Sequence, residues 1–485
     1  MTPRAAATGI RNSAPGVHVS ATASHNREGA QVCDLLIRNA RVITLDAQRT
    51  VYPAGAVAIT GEQIAAVGSE AEILPAFRPL RVLDAGGAMV HPGYIEAHLH
   101  MGQHSARGID AVLAAAGPAA PNFADWKAAL APEDEHASAA LACLDLLRNG
   151  YTGFVDGGTS FCPDAVAAAA AATGMRGWLA DPYLWDRREL MDHLPHLISR
   201  SLETRVPFDS DLALRQLGGQ LHRNVGAGEL VRGYVAIYGL GTASDELQRA
   251  AKACADANGV TFAMHLGYTQ EMSTAEESLW GRPAVVRLAE LGILDHATLL
   301  IHANVLRDDE VTPLIKSGAS LIWCPTGYLL QAAPGGVRSR MPELHRAGVN
   351  LALGIDAAGY CAVGDTACLA AHVALQAGEP VSPWSLLEMM TINAARTMGC
   401  AHQLGSLEPG KQADIVIRRN DVPDALPLID PAFHLALLSR ATSVDTVIVA
   451  GRIVLRHGHS TLVDENVVFA EVQASVDRML RRLGL

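Results

Sequence analysis

Lysine is nearly absent. The 485-residue chain has four, Lys127, Lys252, Lys316 and Lys411, and its formal net charge is −12 with a pI near 5.9. A nucleic-acid-binding surface needs clustered Lys and Arg against phosphate, so this balance argues against one. Cysteine is present but unorganised. The eight residues at 33, 143, 162, 254, 324, 361, 368 and 400 contain no Cys-x-x-Cys pair, which excludes a cysteine-built zinc knuckle. Scattered free thiols in an acidic chain fit a reducing cytoplasm, the expected location. No apolar run approaches the roughly 18–20 residues of a membrane span, so no membrane partner is expected. The opening MTPRAAATGIRNSAPGVHVSATASHNREG lacks the apolar core of a secretion signal and reads as a disordered lead-in over residues 1–30.

What is present is core-forming material. Hydrophobic residues make up 49% and charged residues 18%, enough for a sizeable interior. DLLIRNARVITLD, GAVAITGEQIAAVG and RVLDAGGAMV read as short strands with Gly, Asn and Asp at the turns. The same texture returns in QADIVIRR and VDTVIVAGRIVLRHG. One small β-sandwich domain built from residues 31–90 and 404–463 is therefore expected.

Between these blocks, apolar runs alternate with helical segments. The runs are GYIEAHLH, GFVDGG, GWLADPYL, VRGYVAIYG, VTFAMHLG, ATLLIHAN, ASLIWCP and NLALGIDAA. Eight such runs alternating with helices predict an α/β fold, a (β/α)8 TIM barrel over residues 91–403. Residues 464–485 read as a terminal helix without evident chemistry.

The chemistry-bearing residues fall at the ends of these runs, where a barrel of this kind gathers its active site. GYIEAHLH ends in His98 and His100, two apart and so on one face of a strand. VTFAMH ends in His265, ATLLIH in His302 and NLALGID in Asp356. An isolated histidine at a strand end is an ordinary structural residue, and His-x-His arises by chance among 19 histidines. The ordered set is a different matter. It is nitrogen and oxygen ligation without thiolate, suited to zinc or iron(II).

HPGYIEAHLH, then His265, His302 and Asp356, framed by GSLEPGKQADIVI, resembles the amidohydrolase superfamily. Within it the chain is similar to the branch of cytosine deaminase, the S-adenosylhomocysteine and methylthioadenosine deaminases, and the triazine hydrolases. The likeness runs from about Cys33 to His459 and takes in the WKAAL helix start and LLRNGYTGFVD. It implies a metal-dependent hydrolase acting on a C–N bond, with one divalent ion per subunit, zinc first and iron(II) as the alternative. His98, His100, His265 and Asp356 match the family's ligands, and His302 matches a histidine beside the attacking water. The ion brings the pKa of a bound water from about 15.7 to near 7. In that scheme Asp356 takes the water's proton and His302 orients the nucleophile or steadies an oxyanion. The resemblance also implies a small-molecule substrate and a homo-oligomer, a dimer or larger. Binuclear relatives use a carboxylated lysine on strand four; the segment here, VRGYVAIYG, has none.

The chain departs from its relatives around the substrate. The deaminases carry His-x-x-Glu on strand five; here the fourth position is Tyr268. A strand-seven histidine before Asn-Pro is replaced by Trp323, with Cys324 at the Asn. An ungapped match puts Tyr238 where a substrate-contacting histidine follows strand four. Tyr268 can donate a proton but, with a reference pKa near 10, is no base at neutral pH. Glu271 is the other residue that could fold back into the missing role. Trp323 and Tyr238 either touch substrate or pack. His104 and Arg107 follow strand one as further candidates for substrate contact, Arg107 having a structural alternative. Glu96 is either a partner of a ligand histidine or a buried hydrogen-bonding residue. Three functions stay open: C–N hydrolysis, hydrolysis that releases halide or another leaving group, and a non-hydrolytic lyase, cyclase or binding role.

Overall fold

A computed structural model describes residues 18–21, 29–117, 119–226, 228–357 and 361–485. Most of the expected disordered lead-in lies outside the described residues. Of it, residues 18–21, 29 and 30 are described, and His18–Ala21 form a strand paired antiparallel with Phe77–Asp84.

The two strand-rich ends of the chain meet in one ten-stranded sheet. Its seam is Met89–Pro92, which pairs in parallel with Gln31–Ile43 and antiparallel with Ile415–Arg418. Alternating apolar residues such as Leu35, Ile37, Val57, Ile59, Ile415 and Ile417 fill one face. The turn after Val444–Val449 places Ala450 and Gly451 both at positive φ, 48° and 75°, the pattern of a tight hairpin. A side chain at Gly451 would sit 2.1 Å from the Gly61 carbonyl oxygen, so this turn packs backbone to backbone on a neighbouring one.

The middle of the chain holds parallel strands, numbered here in order. They are β1 (Tyr94–Leu99), β2 (Tyr151–Asp156), β3 (Arg176–Leu179), β4 (Val235–Gly239), β5 (Phe262–Leu266), β6 (Thr298–His302), β7 (Ser320–Trp323) and β8 (Leu351–Leu353). β1, β2 and β3 are paired in parallel, as are β4 through β8. β3 continues to Val231–Gly233, the short segment just before β4. A parallel bridge between Leu99 and Asp356 brings the end of β1 beside the residues after β8. Small and branched side chains, among them Val155, Ala236, Ala263, Ile301, Ile322 and Ala352, pack together between these strands.

Helices flank the strands. α1 (Phe123–Ala129) is capped by Asn122, whose side chain accepts from Asp125 N. α2 (Pro132–Arg148) carries Asp134, fully buried under α3 (Glu465–Leu483), where Ser475 donates to it at 2.7 Å and Arg478 at 2.9 Å. Among the described residues no helix is long and apolar enough to cross a membrane.

Candidate metal centre and substrate pocket

The predicted site residues converge at the C-terminal ends of the parallel strands. Asp356 Oδ1 lies 3.0 Å from His100 Nε2 and 3.5 Å from His98 Nε2. Asp356 Oδ2 lies 4.0 Å from His302 Nε2, and His98 Nε2 is 3.3 Å from His265 Nε2. Ring centroids of His98 stand 4.9 Å from those of both His100 and His265.

Local structure holds these groups. His302 and Asp356 have φ of 73° and 66°, a left-handed backbone that costs a non-glycine residue about 1–2 kcal/mol. Such strain gathers at functional positions. Asp356 N donates to His98 O at 2.8 Å, and Ile355 N donates to Glu96 Oε1 at 2.8 Å. Glu96 therefore braces backbone: its Oε1 also accepts from His98 N at 3.2 Å, and among the described residues no histidine ring is bonded to it. Burial pushes its pKa up to about 8. His265 Nδ1 meets Tyr238 O at 2.7 Å, and His100 Nδ1 meets Thr159 Oγ1 at 2.7 Å, contacts that fix ring orientation. Gly157 leaves the room these rings need: a Cβ there would fall 2.6 Å from His100 Cε1 and 2.8 Å from His98 Cε1.

The electrostatics suit a cation. Burial lowers the pKa of His98; burial and three neighbouring imidazoles hold His265 well below its usual range. Burial takes His302 to about 4 against the pull of Asp356. Neutral imidazoles are what a metal requires. Burial would raise Asp356, but His302, His100 and His98 outweigh it and hold the carboxyl well below the carboxylate range. His98 Nε2 and His265 Nε2 stand 3.3 Å apart beside the carboxylate, and a divalent cation would take the lone pairs of both in place of a hydrogen bond between them. The donor atoms of His98, His100 and His265, and those of His98, His302 and Asp356, each lie within 4.8 Å of one another.

A small cavity of about 70 Å³ touches this cluster and opens onto one of about 330 Å³. Tyr268 and Asp356 line both. Tyr238 lines the inner one, with its ring centroid 5.5 Å from that of His265. The Tyr268 ring stands 4.7 Å from His302, and burial, reinforced by Asp356, raises its phenol well above 10.

Four sequence-based candidates lie elsewhere. Trp323 is fully buried and packs with Leu321 and Leu353, whereas Ile322 and Cys324 take the opposite side of the strand. The alternation of β7 thus turns the indole away from the pocket. His104 and Arg107 do not line it either. His104 Nε2 lies 3.2 Å from Asp145 Oδ2, and Arg107 Nη2 donates to the same oxygen at 2.5 Å. The pair ties the loop after β1 to α2. Glu271 does not fold back: it begins an outer helix and meets His193 Nδ1 at 3.1 Å, with its side chain 72% exposed.

Sequence reading missed Lys127. It lies on α1, is 3% exposed, and lines the inner cavity with His100, His265, His302 and Asp356. The signal was in NFADWKAAL. Phe123, Trp126, Lys127 and Leu130 fall at i, i+3, i+4 and i+7, which puts the lysine on the helix's buried face.

The chain is similar to known proteins over most of its length. A 5-methylthioadenosine/S-adenosylhomocysteine deaminase of Nitratidesulfovibrio vulgaris is 26% identical over 458 residues, 93% of this chain and 99% of the relative. A 5'-deoxyadenosine deaminase of Methanosarcina mazei is 25% identical, covering 93% and 100%. Among solved structures, an adenosine deaminase from Xanthomonas campestris with bound zinc superposes with a TM-score of 0.79 at 23% identity, covering 93% and 99%. An atrazine chlorohydrolase from Arthrobacter aurescens, complexed with zinc, gives 0.73 at 22% identity, covering 91% and 100%. The family model described as "Amidohydrolase family" matches residues 89–454, and the chain belongs to that family.

Proposed function

We propose that this chain is a hydrolase that uses one divalent metal ion, zinc before iron(II), to cleave a C–N bond of a small heterocyclic substrate. His98, His100, His265 and Asp356 would hold the ion. The observation that carries the reading is their convergence beside a cavity of about 70 Å³ that shares Asp356 and Tyr268 with one of about 330 Å³, the size of a small-molecule site. In this reading the parallel strands form a (β/α)8 barrel joined where Leu99 meets Asp356, and the ten-stranded sheet is a β-sandwich domain drawn from both chain ends.

A bound divalent ion would make a water molecule acidic enough to become a nucleophile near neutral pH. The chain's own groups do the rest. Asp356 would accept a proton from the attacking water. His302, neutral and set beside Asp356, donates a hydrogen bond to the oxygen that gains charge. Tyr268 keeps its proton at any physiological pH and can donate a hydrogen bond to the substrate, but it cannot carry protons back and forth.

That last point supports a second reading. A leaving group that departs without protonation, such as a halide on an activated ring, asks less of Tyr268 than ammonia does. Incubating zinc-loaded protein in 18O-water with aminopurine nucleosides, aminopyrimidines, pterins, and amino- and chlorotriazines separates the two. Ammonia with one labelled oxygen in the product supports C–N hydrolysis. Halide with one labelled oxygen supports the second reading. Products without solvent oxygen contradict both.

A further inference from the structure

Lys127 is set apart from the other lysines. Lys252 is paired with Asp256 and Asp295, Lys411 with Glu408, and Lys316 is exposed. Lys127 is buried, and among the described residues no carboxylate forms an ion pair with it. Its Nζ donates to the Leu197 carbonyl at 3.3 Å. The rings of Phe123 and Tyr183 lie 5.6 Å and 5.9 Å from it, a setting that favours a cation over a neutral amine. An ammonium has three donors, and the protein engages one of them. The residue lines the inner cavity together with His100, His265, His302 and Asp356.

A buried charge without a partner is expensive to keep, and it is ordinarily neutralised or paired. Burial takes the pKa of Lys127 to about 7, so the amine stands at the edge of losing its proton. A ligand that brings a negative charge would restore it. One cation with two free donors suits a monoanion. The walls it shares, Phe123, Leu197 and Tyr268, continue into the larger cavity with Leu330 and suit a flat apolar body.

We propose that Lys127 is a specificity-determining residue that pairs with a carboxylate on the substrate, and that this pocket is built for small cyclic carboxylates rather than neutral rings. The proposal rests on the hydrolase reading only for the word substrate. The pairing itself is a binding event that needs no turnover.

The test is calorimetric titration of the zinc-loaded full-length protein with benzoate and with benzamide, its neutral counterpart. Wild type should bind benzoate at least about tenfold more tightly, as expected for a hydrogen-bonded charge pair in a buried site. K127M, which keeps the length and removes the charge, should bring the two ligands to within about threefold, and K127Q should do the same. A wild-type protein that binds both alike, or neither, overturns the proposal without any variant. Benzoate binding that survives in both variants and is lost in Asp356→Asn would place the carboxylate at the metal cluster and also overturn it. The two readings fail separately. Lys127-dependent benzoate binding with no hydrolysis of any substrate would sink the hydrolase alone. Metal-dependent hydrolysis indifferent to substrate charge and to K127M would sink the carboxylate pairing alone.

Discussion

The ring of Tyr268 lies against the ring of His302, their centroids 4.7 Å apart and their planes tilted by 45°. Tyr268 thus puts a phenol that keeps its proton beside the cluster. Tyr268→Phe preserves the ring contact and removes only the hydroxyl. If that hydroxyl donates to a group that gains charge in the transition state, kcat falls by about a hundredfold with KM changed little. Steady-state kinetics on whichever substrate is turned over makes the distinction. A rise in KM at constant kcat would assign the hydroxyl to ground-state binding instead.

Gly157 supplies room more than conformation. A methyl there would press on both His98 and His100. Gly157→Ala should lower zinc affinity by about 10–100-fold, the range seen when supports of ligand residues are disturbed. Thermal unfolding of the metal-free protein should change far less. Competitive titration with a chromophoric chelator measures the first, and circular dichroism the second. Unchanged zinc affinity would mean that the imidazoles have slack that the packing does not reveal.

Glu276 offers a pH prediction away from the site. It is 5% exposed, and burial pushes its carboxyl up to about 7, with Arg287 opposing and Glu310 adding. The folded chain holds this proton more tightly than the unfolded chain, whose pKa is near 4.3. Stability from this group is therefore present at low pH and lost as pH rises from about 4.3 through about 7, by up to about 4 kcal/mol. Glu276→Gln cannot ionise and should remove that slope. Denaturant unfolding of both proteins at a series of pH values should show the variant gaining on wild type as pH rises. A difference independent of pH would contradict the assignment.

The histidine–aspartate cluster was legible because its residues obey a strong rule: polar side chains at the C-terminal ends of apolar runs, in order, along an alternating β/α pattern. The pocket was legible only in part. Tyr238 and Tyr268 do face the cavity. Trp323 does not, because strand alternation decides a side chain's face and one residue of register puts Cys324, not Trp323, on the other side of β7. His104 and Arg107 looked like free polar groups after β1, yet both reach Asp145, 41 and 38 residues further along the chain. Sequence spacing holds no trace of that pairing. Lys127 escaped for the opposite reason. Barrel chemistry gathers at strand ends, and this lysine reaches the cavity from a helix.

The central claim is that His98, His100, His265 and Asp356 hold a single divalent ion, and metal content tests it most directly. Plasma mass spectrometry on the purified full-length protein, on His265→Ala and on Asp356→Asn gives the number of ions per chain. The account predicts about one zinc or iron ion per chain in wild type and a large loss in both variants, with the fold retained by circular dichroism. Two ions per chain in wild type, or full metal content in either variant, would contradict it.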